Sequence, residues 1–208
     1  MSKTKWLKDA THAEVQFKVR HLMVSWVTGS LPVWIGAGSP ESVSRAATLG
    51  YPVAIPVLGG TLTNYAQLAA SYRNTWIESG HSEKDFKLAT FSHLHIAEDS
   101  QKAYSEFYPY YSAYLEPLFK GPMPRDQYQA MYSSNGSLFA GSPHEVIDKI
   151  MFLKEKINIT RYVGQIDIGG QSFSDVVKGI EFFASKVAPC KGLSNDSYLG
   201  FRTVLTPK

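Results

Sequence analysis

The segment Leu31–Gly50 constrains the fold most, because it reads as a strand, a tight turn and a helix in succession. Its apolar start predicts a strand over Leu31–Gly36, and the Gly-Ala-Gly at the end of that strand predicts the turn. Pro40–Leu49 has the apolar spacing of a helix, with Ser39 as its N-cap and Pro40 at its first position. Such a turn directs backbone N–H groups and a helix N-terminus at one point, which favours an anion. The segment therefore predicts a cofactor with a phosphate group.

Strand and helix patterns continue to alternate along the body of the chain. Strands are expected at Pro52–Leu58, Phe86–Ala97 and Arg161–Ile168, and helices at Thr63–Ser79, after Gly141-Ser142-Pro143, and at Ser174–Val187. Residues 98–132 contain four prolines and predict an irregular, partly helical excursion. This alternation is typical of a parallel sheet with right-handed crossovers.

The two ends of the chain have a different pattern. Val15, Phe17 and Val19 alternate with polar residues, which predicts an antiparallel hairpin. We therefore expect three parts: a short β-hairpin of separate origin over residues 1–30, an α/β body over 31–189, and an irregular tail over 190–208.

Composition excludes several classes of protein. The 208 residues are 44% hydrophobic and 19% charged, which predicts a packed soluble domain. A net charge of +3 is too small and dispersed to favour nucleic acid. Cys190 is the single cysteine, so a disulfide framework is excluded and a reducing compartment fits. No apolar run approaches the roughly eighteen residues of a membrane span. A cytoplasmic protein is expected.

Five stretches together resemble one family, the bacterial luciferase-like flavin-dependent oxidoreductases. They are PVWIGAGSPESVSRAATLG, GGTLTNYAQLAASYRNTW, KLATFSHLHIAEDSQKA, SLFAGSPHEVIDKIMFLKE and YVGQIDIGG, and they fall in order within residues 32–189. The resemblance is to the C-terminal half of that family. Residues 4–30 instead resemble the opening strands of YceI-like isoprenoid-binding barrels, which would make the chain a chimera.

The resemblance implies a partial TIM-type (β/α)₈ barrel: half a barrel with parallel strands, preceded by the hairpin. Members of the family bind FMN, or a deazaflavin in some branches, and catalyse monooxygenation or hydride transfer. The family takes much of its flavin pocket and its usual catalytic groups from the N-terminal half, so no catalytic residue is assigned here. We expect a flavin-dependent oxidoreductase of the monooxygenase type that acts on an unidentified small organic substrate, and that pairs into a homodimer to cover its sheet edges.

Two other functions stay open on the same residues. The first is a non-catalytic half barrel that binds a phosphate-bearing ligand or only associates with itself. The second, suggested by the N-terminal resemblance, is binding of an apolar lipid.

Two glycine turns are the candidate cofactor site, because the turns after adjacent parallel strands meet at the carboxyl edge. Glycines there permit close backbone approach to a ligand. The candidate residues are Gly36, Ala37, Gly38, Ser39, Gly59, Gly60 and Thr61. The alternative is that both are plain strand-to-helix turns, with Ser39 serving only as a helix cap.

His93 and His95 are two residues apart on a predicted strand and face the same side. They are candidates for a flavin or substrate contact, as is Gly169 after the last strand. The alternatives are histidines bonded within the core, and a glycine that only shapes its turn. No third ligand accompanies the histidines, so no metal is expected. The tyrosine-rich stretch Ala103–Phe119 predicts either a helical insertion or a wall over a planar ligand.

Overall fold

The computed structural model of the chain describes residues 33–190 in full and the backbone of residues 200–202. The hairpin expected over residues 1–30 lies outside the described residues, as does most of the expected tail. The division of the chain into three parts therefore stays a prediction.

Six strands form one sheet in which every pair of named strands is parallel. They are β1 (Ile35–Gly36), β2 (Val53–Pro56), β3 (Leu88–Ile96), β4 (Phe139–Gly141), β5 (Arg161–Gln165) and β6 (Gly200–Arg202). The order is β1-β2-β3-β5-β6, and β4 pairs with the end of β3 beyond the part that pairs with β5. This arrangement confirms the parallel α/β sheet that the sequence predicts. One strand, β6, falls within the expected irregular tail.

Helices connect the strands as expected. They are α1 (Pro40–Thr48), α2 (Leu62–Glu78), α3 (Ser100–Phe119), α4 (Arg125–Tyr132), α5 (Pro143–Phe152) and α6 (Phe173–Phe182). A 3₁₀ turn covers Glu83–Asp85, and π-helical turns extend α5 over Leu153–Ile157 and α6 over Phe183–Val187. Among the described helices, none combines the length and the apolar character that a membrane span requires.

The repeated Gly-Ser-Pro sequence starts α1 and α5 in the same way. Ser39 and Ser142 are the N-caps, a proline follows each, and both helices have a reciprocal capping box. In α5 the Glu145 side chain returns to the Ser142 backbone amide at 2.8 Å. Each box satisfies amides that a helix N-terminus otherwise leaves unpaired. A true strand, β4, precedes the second copy.

The expectation of an irregular excursion over residues 98–132 is wrong for most of its length. The 20-residue helix α3 contains Pro109 and Pro117, and α4 follows it. A proline inside a helix removes a backbone hydrogen bond, but both prolines lie on the exposed side of α3. The opposite side buries Phe107 and Tyr111 completely, and this burial maintains the helix.

The sheet has two different faces. One face packs against helices and contributes Val53, Ile55 and Leu94 to the main core. Tyr72 and Trp76 of α2 belong to the same core. The opposite face of β3 carries His93 and His95, which lie against aromatic residues of α3. A second apolar cluster joins α3, α4 and β4. The helix α3 therefore covers the carboxyl end of β3 on the side away from the main core.

Candidate functional site

The register of the sheet places the sequence-predicted residues at one edge. Gly36 pairs with Ala54, Pro56 with Phe91, and His93 with Gln165. Because the strands are parallel, both glycine turns follow the carboxyl ends of their strands on the same edge, and the two histidines lie in the carboxyl-terminal half of β3. That edge is where ligands bind in sheets of this kind.

The first turn, Gly36–Ser39, packs on the end of β2. The Ala37 amide donates to the Ala54 carbonyl at 3.1 Å, and a Cβ on Gly38 would lie 3.4 Å from Pro56 Cγ. Within residues 33–190 the Gly38 amide donates to no backbone or side-chain acceptor. Within residues 33–190, no atom lies within 4 Å of where a Cβ on Gly36 would stand, so that position is open to this part of the chain.

Ser39 caps the N-terminus of α1, as the alternative interpretation of this turn predicted. Its hydroxyl accepts from the Ser42 amide at 3.3 Å, and its own amide donates to Ser42 Oγ at 3.1 Å. The carboxylate of Glu41 stands at the same helix start, where its own backbone amide and the Ser39 side chain lower its pKa. A phosphate at this turn would have to share the helix N-terminus with that exposed carboxylate.

The second turn, Gly59–Thr61, is held by Tyr65. The Gly59 amide donates to Tyr65 Oη at 3.2 Å, and this hydroxyl donates back to the Gly59 carbonyl at 2.6 Å. Gly60 has a φ of 66°, which favours glycine. Its amide has no acceptor within the described part of the chain. A Cβ on Gly59 would meet no described atom within 4 Å.

Some of the predicted residues in the two turns could hold a phosphate, and others are already used within the fold. Gly38 and Gly60 retain open amides, and Gly36 and Gly59 leave room for close approach. The amides of Ala37 and Gly59 and the cap of Ser39 are already used within the fold. Backbone N–H groups with open space beside them suit an anion.

His93 and His95 share one face of β3 as predicted, and both are buried. His93 Nδ1 lies 3.2 Å from Tyr111 Oη, and its ring makes edge contacts with Tyr111 and Tyr114. His95 Nδ1 lies 3.0 Å from Gln171 Oε1, and its ring stacks on Phe107 at 4.5 Å. Burial lowers the pKa of each histidine to about 4, although Gln171 and Asp175 partly oppose this for His95. Both rings are neutral at pH 7.

A cavity of about 770 Å³ opens beside His95, between α3 and α6. Its lining includes Gln171, whose role the sequence pattern did not indicate. Gln171 lies in the loop after β5, and only the folded loop brings it to His95.

Gly169 has a packing role that its sequence position did not reveal. Its φ is 69°, and a Cβ there would meet the carbonyl of Tyr110 in α3. The loop after β5 therefore approaches the α3 backbone closely, which only glycine allows. Contact of Gly169 with a ligand stays a prediction.

Lys149 is a second residue that sequence reasoning missed. Its ammonium is buried and donates to the carbonyls of Tyr132, Gly136 and Leu138 at 3.1, 3.3 and 2.6 Å. Burial lowers its pKa to about 8, while Glu145 acts in the opposite direction. Lys149 lies between Val146 and Ile150 on the apolar side of α5, and this position in the sequence could have indicated that the lysine is buried.

Within the part of the chain that the structure describes, no three histidine, cysteine, aspartate or glutamate side chains are grouped to hold a metal ion.

Comparison with known proteins gives one family match. The sequence model of the luciferase-like monooxygenase family matches residues 4–157. This match includes residues 4–30, so it gives the expected YceI-like origin of that segment no support. A comparison with curated proteins finds no match.

Solved structures show the same fold. The monooxygenase RslO1 from Streptomyces bottropensis matches with a TM-score of 0.60 and 18% identity, covering 75% of this chain and 47% of that one. The coenzyme F420-dependent tetrahydromethanopterin reductase from Methanopyrus kandleri matches with a TM-score of 0.56 and 19% identity, covering 76% of this chain and 50% of that one. The oxygenating constituent of 3,6-diketocamphane monooxygenase from Pseudomonas putida was solved with FMN. It matches with a TM-score of 0.52 and 16% identity, covering 79% of this chain and 50% of that one.

The chain spans about half the length of these solved structures. The parallel sheet and its helices thus correspond to part of the barrel, as the sequence predicts.

Proposed function

Because the chain belongs to the luciferase-like monooxygenase family, we propose that it is a flavin-dependent oxidoreductase of the monooxygenase type that acts on a small organic substrate. The match of the family model to residues 4–157 is the observation that carries this proposal. The two adjacent glycine turns at the carboxyl edge of the sheet support it, since they offer a place for the cofactor phosphate.

In this proposal the chain holds FMN by its phosphate. The amides of Gly38 and Gly60 would donate to the phosphate oxygens, and the space above Gly36 and Gly59 would admit the group. Bound flavin would supply the electron-transfer chemistry, and the protein would position it. A deazaflavin is the alternative cofactor, because one similar structure is named for coenzyme F420 and another was solved with FMN.

His93 and His95 are proposed as positioning groups near the ligand rather than as proton donors at neutral pH. Their low pKa leaves each ring with a single proton at pH 7. Tyr111 and Gln171 occupy one nitrogen of each ring, which fixes both rings in place.

We also propose that two copies associate in a cytoplasmic homodimer. The chain spans half of the similar structures. Pro56, Phe91 and Val163 share through their register the sheet face opposite the main core, where α3 covers the carboxyl end of β3, and all three are only partly buried. A second copy would bury this face, as burial of apolar surface drives association.

Titration of the purified chain with FMN and with coenzyme F420 tests the proposed cofactor, with quenching of cofactor fluorescence as the signal. Saturable binding of FMN, followed by faster oxygen consumption when reduced FMN is supplied, would support a monooxygenase-type oxidoreductase, and saturable binding of coenzyme F420 instead would identify a deazaflavin as the cofactor. Binding without any change in oxygen consumption would favour the non-catalytic half barrel instead. Absence of binding would contradict the proposed oxidoreductase and favour a half barrel that only associates with itself.

A further inference from the structure

The hydroxyl of Tyr65 bonds to two successive peptide groups of the second glycine turn. Its oxygen accepts from the Gly59 amide at 3.2 Å, and the hydroxyl donates to the Gly59 carbonyl at 2.6 Å. This carbonyl belongs to the peptide group that joins Gly59 to Gly60, and the N–H of that same group is the Gly60 amide. One phenol therefore holds the peptide group that carries a proposed phosphate donor.

The planarity of the peptide group transmits this contact to the Gly60 amide. The peptide bond between Gly59 and Gly60 is trans, so its carbonyl and its N–H lie in one plane and point in opposite directions. A carbonyl directed at Tyr65 therefore directs the Gly60 N–H away from Tyr65. Within residues 33–190 that N–H has no acceptor. The contact with Tyr65 thus leaves the Gly60 amide available to a ligand.

Glycine on both sides of this peptide group makes the contact with Tyr65 important. Glycine reaches positive and negative φ with similar ease, so a peptide group between two glycines can rotate at little cost. Gly60 has a φ of 66°, and a Cβ on Gly59 would meet no described atom within 4 Å. Among the described residues, the hydrogen bonds with Tyr65 are therefore what selects one orientation of the group.

Tyr65 is itself anchored in two ways. Its ring packs against the main core. The start of α2, on which it lies, is bonded to Asn135: the Leu62 amide donates to the Asn135 carbonyl at 2.8 Å, and the Thr63 hydroxyl donates to Asn135 Oδ1 at 3.2 Å. Because the ring and the helix start are both anchored, the phenol oxygen has a defined position from which to orient the turn.

We propose that Tyr65 is a positioning residue of the phosphate site, which orients the peptide group between Gly59 and Gly60 so that the Gly60 amide faces the phosphate. This inference rests on the proposed function, in which that amide donates to the cofactor phosphate. In this role the phenol does not need to touch the phosphate. It reduces the number of orientations that compete with the one that binds.

A first test needs no flavin. Tyr65→Phe removes the hydroxyl and retains the ring that packs against the core. In NMR spectra of the unliganded full chain, we expect the Gly60 amide to give one sharp signal in the wild type. In the variant this signal should be shifted or broadened, because the peptide group samples a second orientation. An unchanged Gly60 signal would overturn the proposal.

A second test compares FMN with riboflavin, which lacks the phosphate. Apparent affinity falls in proportion to the fraction of chains in the binding orientation, so we expect Tyr65→Phe to weaken FMN binding about fivefold to tenfold. Riboflavin binding should change by less than about twofold, because the released peptide group has no phosphate to bind in that complex.

Tyr72→Phe is the matched control on the same helix. The Tyr72 hydroxyl also donates to backbone carbonyls, those of Tyr51 at 3.0 Å and Lys87 at 3.2 Å, but it contacts neither glycine of the turn. This variant should retain the wild-type ratio of FMN to riboflavin affinity and the wild-type Gly60 signal.

The outcomes separate the role of Tyr65 from the proposed function. A wild-type preference for FMN that Tyr65→Phe retains would overturn the positioning role and leave the phosphate site standing. Equal weakening of FMN and riboflavin, or the same loss of preference in Tyr72→Phe, would indicate a general structural effect and would also overturn it. Equal affinities in the wild type would instead contradict the phosphate site, and the positioning role with it.

Discussion

At the scale of single residues, the glycines separate into two groups. A Cβ on Gly164 or Gly169 would collide with Leu94 or with the Tyr110 backbone, so these glycines are needed for packing. Among the described residues, a Cβ on Gly36 or Gly59 would meet no atom within 4 Å. Packing within the described part of the chain therefore does not require glycine at the second pair, which leaves room there for a ligand.

The buried histidines make the protein sensitive to acid. Their pKa in the folded state is about 4, below the usual 6.5, so the folded state binds fewer protons between these values. The neutral histidines make their full contribution to the free energy of unfolding above about pH 6.5. This contribution is lost as the pH falls towards 4. Each buried histidine accounts for about 3 kcal/mol of this loss.

Urea unfolding at several pH values between 7 and 4 measures this effect. We expect His93→Phe and His95→Phe each to reduce the slope of unfolding free energy against pH. His144→Gln, at a side chain that is 85% exposed, should leave the slope unchanged. An unchanged slope in both buried-site variants would mean that other groups cause the sensitivity.

Several residue-level features were predictable from the sequence, and others were not. The two-residue period of a strand placed His93 and His95 on one face, and the structure confirms this. Their partners Tyr111 and Gln171 come from elements 18 and 76 residues away along the chain. Periodicity carries no information on such distant contacts.

At the scale of helices and strands, the N-terminus of α5 is more strongly connected than that of α1. The Glu145 carboxylate accepts from Ser142, in the capping box, and also from Ser100 Oγ of α3 at 2.5 Å. The box in α1 contains only the local pair Ser39 and Ser42.

The two capping serines can be compared directly. We expect Ser142→Ala to lower the unfolding free energy by about 1–2 kcal/mol, because it removes a cap and loosens Glu145. Ser39→Ala should cost about 1 kcal/mol or less. Urea unfolding of the two variants gives the comparison. A larger loss for Ser39→Ala would contradict the proposed link between α3 and α5.

Lys149 connects α5 to the segment between α4 and β4 through three carbonyl acceptors. Lys149→Met retains the aliphatic volume but leaves those carbonyls without their donor, and we expect it to lower the unfolding free energy by about 2–4 kcal/mol. Lys156→Met, at an exposed lysine, is the control. Equal stability of the two variants in urea would contradict a structural role for Lys149.

The starts of elements were more predictable than the long helix. Ser39, Pro40 and Gly50 marked α1 closely, since caps and breakers act locally. The helix α3 was obscured by its prolines. Its stability depends on the buried aromatic side, whose partners lie on β3 and α4. Tertiary packing thus overrides the local signal.

At the scale of the whole molecule, the order of strands and helices was readable from the sequence. The alternating pattern predicted the parallel sheet, and the family match and the solved structures agree with a partial barrel. The sequence did not predict which face of the sheet a second copy would cover. The hydrophobic pattern of one chain carries no information on what contacts its surface.

Molar mass in solution tests the proposed homodimer. Light scattering after size exclusion should give twice the mass of the 208-residue chain at micromolar concentration. Phe91→Lys, on the partly buried sheet face, should shift the mass towards one copy. A folded wild-type chain that elutes as one copy at all concentrations would contradict the dimer.

The most direct test of the central claim compares FMN with riboflavin, which lacks the phosphate. If the glycine turns hold the phosphate, FMN binds about tenfold or more tightly than riboflavin. Gly36→Ala should abolish most of that difference without changing the melting temperature, because its Cβ occupies open space. Gly121→Ala, at another open glycine, should preserve the difference. Equal affinities for FMN and riboflavin in the wild-type chain would contradict the account.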